Sequence, residues 1–431
     1  MSREQIIQHI KQRDMIVVSS IFSNCGDYMI AANNHGFINI WYLPETILHH
    51  QHQHQQHHQQ QHHMDEDTVL LSPSIQQQQQ QSNNNKLTNC HYSFETPSQS
   101  CINSLLLISN DSVLLSSDDT DILAWNWTDI KKIIGGQLPQ QAIQPLFVIP
   151  SPQKEGKRGS LSERCEINSM DIDNNGHLYL ASGDCNAYSY DLNTLKCVSR
   201  YQGHKQYLHS VKWNKRYNSL ITSSEDGTVR IWDASTAICQ TILCPKLQKS
   251  ISESDSFLSN HSNSSSSSSS NTRNNNNNNG NGNKNNNNNN NNAGNGNITR
   301  DQYWTGPVDI DETGNWLAVG GNMASMWYLG KLNTMSSLLS SKFNESIYSL
   351  IFEKDRILTA GTSGYVNYYG LDGKLLMKVP STSEILYTLS YNPHQRNQIL
   401  IAGGTSPLIN TYINQENIAF SYYFSNQQSY L

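Results

Sequence analysis

One stretch of the chain constrains its fold more than any other. Residues 203–233 read GHKQYLHSVKWNKRYNSLITSSEDGTVRIWD, and 27 residues separate His204 near its start from Trp232 near its end. Inside it lie three short apolar segments, LHSVKW, SLITSS and TVRIWD, and a Glu-Asp-Gly turn joins the last two. Alternation with a period of two, interrupted by tight turns, predicts three antiparallel strands.

Six weaker copies of this unit occur elsewhere in the chain. Each has an apolar strand ending in small residues, a tight turn, and an alternating strand that ends on an aromatic residue; the copies are MIAANNHGFINIWYL, VLLSSDDTDILAWNW, LYLASGDCNAYSYDL, WLAVGGNMASMWYL, ILTAGTSGYVNYYGL and ILIAGGTSPLINTYI. Their closing aromatic residues, which we expect to pack between blades, are Trp41, Trp125, Tyr190, Trp327, Tyr369 and Tyr412. Seven copies at this spacing predict an all-β fold, a seven-bladed WD-repeat β-propeller.

The fourth copy carries the full polar signature of a WD repeat. On that pattern, Asp226 accepts a hydrogen bond from the ring of His204, and the ring in turn bonds the hydroxyl of Thr222, which engages the indole of Trp232. Each of these groups would be costly to bury alone. We therefore interpret the set as structural; the alternative, His204 as a catalytic base beside Asp226, is disfavoured. The other copies lack most of the set and are expected to depend more on apolar packing.

Three tracts of low complexity interrupt the repeats: a His/Gln run at residues 49–63, a Gln/Asn run at 76–85 and a Ser/Asn-rich run from about 250. Such segments bury too little apolar surface to offset the entropy of ordering them. We predict an N-terminal segment at residues 1–14, whose sequence suits a short helix. The propeller is predicted at 15–431, with loop insertions at about 49–88 and 250–300. The His run suits divalent metals in composition, but it lacks fixed ligand geometry, so no metal site is predicted.

Several function classes are disfavoured by composition and motifs. The formal net charge of −6 argues against a surface built to neutralise phosphates. No apolar run is long enough to cross a bilayer. The cysteines form no CxxC pair and are interpreted as reduced thiols; they are Cys25, Cys90, Cys101, Cys165, Cys185, Cys197, Cys239 and Cys244. We find no GxSxG, HExxH, P-loop or dinucleotide fingerprint, so we predict no catalytic residue, no cofactor and no enzymatic activity. A small basic-aromatic cluster, Trp213, Lys215 and Arg216, leaves direct RNA binding as a minor alternative.

The sequence resembles the THO complex subunit 6 family. The resemblance rests on CEINSMDIDNNGHLYLASGDCNAYSYDLNT, on GHKQYLHSV with EDGTVRIWDASTAICQTI, and on ILTAGTSGYVNYYGLDGKL with VPSTSEILYTLSYNP. The Gly-Asp-Cys turn at Cys185 is more specific than the EDGTVRIWD string, which any WD protein could share. The resemblance implies a non-catalytic scaffold subunit of a nuclear complex that couples transcription and splicing to mRNA export. It also implies binding to other THO subunits, particularly the coiled-coil ones, with RNA contacted indirectly.

Two points stay open on the sequence alone. The alternative function is a WD-repeat adaptor of a ubiquitin ligase or of a chromatin complex, which the same fold would serve. The chain also begins with an inner strand and ends with an outer one, so we expect the ring to close by packing between blades, aided by the N-terminal segment, and not by a blade shared between the two chain ends.

Overall fold

The computed structural model describes residues 14–44, 87–155, 161–245, 303–330, 335–339, 345–392, 394, 398–413 and 417–425. The N-terminal segment predicted at residues 1–14 falls outside this part except for its last residue. The low-complexity insertions predicted at about 49–88 and 250–300 also fall outside it, apart from the two residues at 87–88. The described residues all belong to the unit formed by residues 1–245 and 303–431.

The described residues form seven four-stranded antiparallel units, which we number as blades in chain order. Blade 1 contains β1 (Val17–Phe22), β2 (Tyr28–Asn33) and β3 (Phe37–Tyr42); the short β4 (Leu87–Thr88) precedes its outer strand, β5 (Tyr92–Glu95). Blade 2 contains β6 (Ser104–Ile108), β7 (Val113–Ser117), β8 (Asp121–Asn126) and, after helix α1 (Trp127–Ile134), β9 (Phe147–Pro150). A hairpin of β10 (Gln153–Glu155) and β11 (Leu161–Arg164) leads to blade 3, with β12 (Ile167–Ile172), β13 (His177–Ser182), β14 (Asn186–Asp191) and β15 (Lys196–Gln202).

The remaining blades follow the same plan. Blade 4 contains β16 (Leu208–Asn214), β17 (Ser219–Ser224), β18 (Val229–Asp233) and β19 (Cys239–Leu243), and blade 5 contains β20 (Thr305–Ile310), β21 (Trp316–Gly321), β22 (Ser325–Tyr328) and β23 (Met335–Leu338). Blade 6 contains β24 (Ile347–Glu353), β25 (Arg356–Gly361), β26 (Tyr365–Gly370) and β27 (Leu375–Pro380). Blade 7 contains β28 (Leu386–Asn392), β29 (Ile399–Gly404), β30 (Leu408–Ile413) and β31 (Asn417–Tyr423).

The inner strands close a ring. Each of β1, β6, β12, β16, β20, β24 and β28 contacts the next, and β28 contacts β1. The closing contact is polar as well as apolar: the hydroxyls of Ser20 and Thr388 lie 2.7 Å apart, and Ser390 donates to the Ser20 carbonyl at 2.7 Å. The prediction of a seven-bladed propeller is thus confirmed, and the ring closes through contacts between whole blades.

Among the described residues, the hydrophobic core is divided into seven clusters, one between each pair of neighbouring blades. The cluster between blades 7 and 1 contains Trp41, whose ring centroid lies 5.5 Å from that of Tyr422 and 6.1 Å from that of Phe424. No single blade can bury its faces alone, because each face finds its apolar partners on the next blade.

The outer strands of blades 7 and 1 are each covered by an additional element, a short strand and a helix. Strand β4 pairs in parallel with β31, through Leu87 with Ser421 and Thr88 with Tyr422, so blade 7 gains a fifth strand. Helix α1 buries Trp127 and two isoleucines in the cluster between blades 1 and 2, and the Tyr92 hydroxyl on β5 donates to the Gln141 carbonyl at 2.8 Å in the segment after the helix. Neither cover was predicted from the sequence.

Candidate interaction surfaces

The polar set of blade 4 is assembled in the structure. Nδ1 of His204 lies 2.9 Å from Oδ2 of Asp226, and Nε2 of His204 lies 2.8 Å from the Thr222 hydroxyl. The indole N–H of Trp232 donates to the same hydroxyl at 2.8 Å. In a neutral His204 whose Nδ1–H donates to the Asp226 carboxylate, Nε2 is an acceptor, and the Thr222 hydroxyl donates to it while accepting from the indole. The relay joins the loop before the inner strand to the second and third strands.

Asp226 is held in its charged form. Burial opposes ionisation, but hydrogen bonds from His204 and from Thr228, with the backbone N–H of Lys205, outweigh it and hold the pKa of Asp226 well below its usual value. The carboxylate accepts from the Thr228 hydroxyl at 2.6 Å and from the Lys205 N–H at 3.0 Å. With both nitrogens of His204 engaged inside the blade, this pair presents no free base to a substrate.

Blade 3 also has an aspartate in the turn between its second and third strands, and other residues donate the hydrogen bonds to it. Its turn, Gly-Asp-Cys, places Asp184 in a buried position where Oδ2 accepts from the Tyr188 hydroxyl at 2.5 Å. The amide of Asn186 donates to the same oxygen at 3.0 Å, and the Arg200 guanidinium lies 3.8 Å away. Cys185 adopts a left-handed backbone with a φ of 72°, as Gly227 does in blade 4 with a φ of 77°.

The predicted blade aromatics lie in the clusters between blades. Each packs in the cluster shared with the preceding blade: Trp41, Trp125, Trp327, Tyr369 and Tyr412 are buried, and Tyr190 is half-buried. Two of the indoles also donate hydrogen bonds, Trp125 to Ser116 and Trp327 to Ser325, each at 2.9 Å. Their positions agree with a structural role.

The predicted basic-aromatic cluster offers little stacking surface. The Trp213 ring stacks on Tyr179 of the preceding blade, with ring centroids 5.4 Å apart and an interplanar angle of 6°. The Arg216 guanidinium lies over the Tyr217 ring at 5.7 Å. One face of the indole is therefore already covered by the protein.

A line of charges crosses the inner strands of blades 3 to 5. The Lys212 ammonium lies 3.1 Å from Asp309, and the Asp309 charge, working against burial and together with Asp171, raises the pKa of Lys212. Asp171 also accepts from the Trp213 N–H at 2.6 Å, and Asp309 accepts from the Phe352 N–H at 2.8 Å. Each carboxylate thus ties its strand to the next one, and burial raises the pKa of Asp171.

The outer strands of three consecutive blades expose apolar side chains. We call this surface the open rim; it comprises Val148, Val198 and Ile242 on these strands, with Leu146 and Ile238 directly before two of them, and the exposed fractions run from 44% to 64%. Blades 2, 3 and 4 present their outer edges here, in contrast to blades 7 and 1, where β4 and α1 lie against the outer strands. Exposed apolar edge strands are characteristic of interaction surfaces.

Within the described ranges we find no group of three or more His, Cys, Asp or Glu side chains arranged to hold a metal ion. No helix in that part of the chain is long and apolar enough to span a bilayer.

The comparisons with known proteins agree with the geometry. The family described as WD domain, G-beta repeat, matches residues 195–233, which cover β15 to β18 and the relay of blade 4. The fold and this repeat define a WD-repeat β-propeller.

The similar proteins are more specific. The chain is 24% identical to THO complex subunit 6 of Homo sapiens over 98% of this chain and 97% of that protein, and 24% identical to the Mus musculus homolog over the same shares. It is also 24% identical to THO complex subunit 6 of Arabidopsis thaliana over 66% of this chain and 64% of that protein, less than two thirds of the plant protein's length. The resemblance to the THO complex subunit 6 family is confirmed.

Proposed function

We propose that this protein is a non-catalytic scaffold subunit of a nuclear THO-type complex and supports mRNA processing and export through protein–protein contacts. The observation that carries the proposal is the similarity to THO complex subunit 6 homologues along nearly the whole chain. A likeness that spans all seven blades reaches further than a shared WD repeat, since a single repeat occupies only residues 195–233.

The open rim is the surface we assign to the other subunits of the complex. A coiled-coil partner presents apolar side chains along one helical stripe, and such a stripe can lie across the edges of consecutive blades. Val198 and Ile242 are exposed by 56% and 46% on neighbouring outer strands. RNA would then be reached through partners, in agreement with the net charge of −6.

Affinity purification of the tagged full-length chain from nuclear extract, followed by mass spectrometry, tests the proposal. The expected result is co-purification of THO subunits, including coiled-coil ones. Recovery of ubiquitin-ligase or chromatin subunits in their place would instead support the adaptor alternative and overturn the proposal.

Charge substitutions on the open rim test the surface itself. Val198→Asp with Ile242→Asp is expected to lower recovery of the partners at least about tenfold, because an unpaired carboxylate buried in an interface is costly. The matched control is Leu376→Asp on the outer strand of blade 6, where the leucine is 58% exposed and lies outside the open rim. Equal losses from the rim and control variants would remove the open rim from the proposal.

A further inference from the structure

Four aromatic rings form a row where the inner strands begin. His209, Trp304, Tyr348 and Tyr387 come from or directly before the inner strands of blades 4, 5, 6 and 7, and we call them the aromatic row. Ring centroids lie 5.1 Å apart between His209 and Trp304, 5.7 Å between Trp304 and Tyr348, and 5.1 Å between Tyr348 and Tyr387. The last two pairs are stacked.

The row occupies one repeated position of the inner strand. In blades 4, 6 and 7, the ring is carried by the second residue of the strand, and in blade 5 that residue is Gly306. A Cβ at Gly306 would lie 2.3 Å from the Trp304 ring, so Trp304 covers the place that the glycine leaves empty. All four rings are half-buried, with part of their surface open to solvent at the mouth of the ring of inner strands.

Carboxylates adjoin the aromatic row on blade 4 and continue this mouth on blades 2 and 3. Glu225 lies 3.6 Å from Nε2 of His209. On blades 2 and 3, burial and the neighbouring charges of Asp118 and Glu166 raise the pKa of Asp119, against a hydrogen bond from Asn103 that lowers it. Asn103 occupies the repeated position that carries the rings in blades 4, 6 and 7, so these acids adjoin the same mouth.

The protein's own cations cover other rings. Among the described residues, side-chain cations lie over Tyr188, Tyr217, Trp232, Tyr368 and Tyr365. In the same part of the chain, no lysine or arginine lies over a ring of the aromatic row. Tyr348 lies between Trp304 and Tyr387, which cover its two faces, so within the row the face of Tyr387 turned away from Tyr348 stays open. A half-exposed ring face beside carboxylates attracts a planar cation, because the face is negative and carboxylates are anionic.

We propose that the aromatic row and the adjoining carboxylates bind an arginine-bearing extended segment of a protein partner, with the guanidinium stacked on the face of Tyr387 turned away from Tyr348. The charge of the mouth decides between the two polymers that stack on aromatic rings. Single-stranded nucleic acid requires a positive groove along its phosphates, whereas the mouth carries Glu225, Glu166 and Asp119. This inference rests on the fold and does not depend on membership of a THO-type complex.

Fluorescence anisotropy with purified full-length protein tests the proposal. The probe is a short labelled peptide of alternating arginine and glycine, compared with the same peptide carrying citrulline, which keeps the shape and loses the charge. Tight binding of the arginine peptide, at least about tenfold weaker binding of the citrulline peptide, and no competition by oligouridylate are expected. Equal binding of the two peptides, or binding of oligouridylate in preference to the arginine peptide, would overturn the proposal.

Variants locate the binding. Tyr387→Ala is expected to weaken the affinity at least about threefold, through loss of the cation–π contact. Tyr348→Ala with Tyr387→Ala is expected to weaken it at least about tenfold, because the single substitution uncovers a face of Tyr348 that can replace Tyr387. Tyr387→Phe keeps the ring and is expected to retain binding even if the alanine variants fold poorly. Glu225→Gln is expected to weaken binding and to reduce its salt dependence.

The matched control is Tyr365→Ala on blade 6. This tyrosine is 42% exposed and lies outside the aromatic row, with the Lys378 ammonium 5.9 Å from its ring centroid. Its loss is expected to leave peptide binding unchanged. Unaltered affinity in the folded double variant, or an equal loss in the Tyr365→Ala control, would remove the aromatic row as the binding site.

Discussion

Blades 3 and 4 are neighbours with the same strand plan, yet they hold their turns together differently. In blade 4 the buried carboxylate of Asp226 reaches the indole of Trp232 through His204 and Thr222. In blade 3 the carboxylate of Asp184 is bound directly by the Tyr188 hydroxyl. The polar partners in blade 4 come from the loop before the inner strand and from the second and third strands, whereas those in blade 3 come from its third and outer strands.

The difference shows which part of the repeat is required. Both turns bury an aspartate, and a buried carboxylate must be hydrogen-bonded wherever it lies. The identity of the donors is free to change. This explains why the WD signature is visible in the sequence of blade 4 and faint in blade 3, although both blades form complete four-stranded sheets.

The largest loss of stability is expected when the aromatic residue that closes a blade's third strand is replaced by alanine. Trp232→Ala should lower the free energy of unfolding by about 3–5 kcal/mol, because it empties a fully buried site and removes an indole hydrogen bond. Tyr190→Ala should cost about half as much, since Tyr190 is only half-buried. Chemical denaturation monitored by circular dichroism measures both. An unchanged melting temperature for Trp232→Ala would contradict the assignment of blade 4.

Double-mutant cycles should show that the hydrogen bonds of Asp226 in blade 4 and of Asp184 in blade 3 form two separate networks. Removing Asp226 and His204 singly and together is expected to give a coupling energy of about 1.5–3 kcal/mol, as for hydrogen bonds to charged groups. The Asp184 and Tyr188 cycle is expected to give a similar value. A cross cycle of Asp184 with His204 serves as the control, and its coupling should fall within about 0.5 kcal/mol of zero. Strong cross coupling would mean that the two turns act as one unit.

Acid should weaken blade 4 through Asp226. Because the folded-state pKa of Asp226 lies below its unfolded value, its contribution is complete above about pH 4 and is lost as the pH falls towards the folded pKa. Asp226→Asn should therefore be less stable than the wild type at neutral pH, by about 2 kcal/mol. Its melting temperature should also fall less steeply between neutral pH and about pH 3. Parallel slopes for the two proteins would argue against a charged Asp226 in the fold.

The smallest effect is expected at the turns themselves. Gly227→Ala should cost about 1–2 kcal/mol, since it forces an L-residue into a left-handed backbone and places a Cβ 2.8 Å from the Tyr303 carbonyl oxygen. Cys185→Gly should change stability by less than about 1 kcal/mol, because relief of the same strain is offset by a more flexible unfolded chain. Thermal unfolding of the two variants gives the comparison, and a reversed order would show that the turns are not equivalent.

The second and third strands of every blade could be predicted from the sequence, because their pattern of apolar, small and aromatic residues is local. The covers of blades 7 and 1 could not. The pairing of β4 with β31 joins residues far apart in the chain, and the two residues of β4 are too few to show an alternating hydrophobic pattern. Helix α1 did leave signals: Asn126 caps it with a bond from the Asp129 N–H, and Ile130 and Ile133 share its buried face.

The aromatic row was missed for a different reason. Tyr348 and Tyr387 occupy the same place in SIYSLIF and ILYTLSY, and His209 occupies it in YLHSVKW, so alignment of the copies would have brought three of the rings together. Trp304 lies two positions before its glycine, and only the folded chain shows that its ring fills that space. The acids of the mouth come from turns, where carboxylates are ordinarily solvated.

Blade 1 cannot pack against blade 7 until the end of the chain has been synthesised. Asn39 donates to the Ser425 carbonyl from 386 positions away, and Trp41 packs on Tyr422 and Phe424 across the same gap. A ribosome adding about 5–20 residues per second needs roughly 20–80 seconds to cover that distance. Throughout this interval the apolar face of blade 1 stands uncovered on the nascent chain, an obvious target for chaperones.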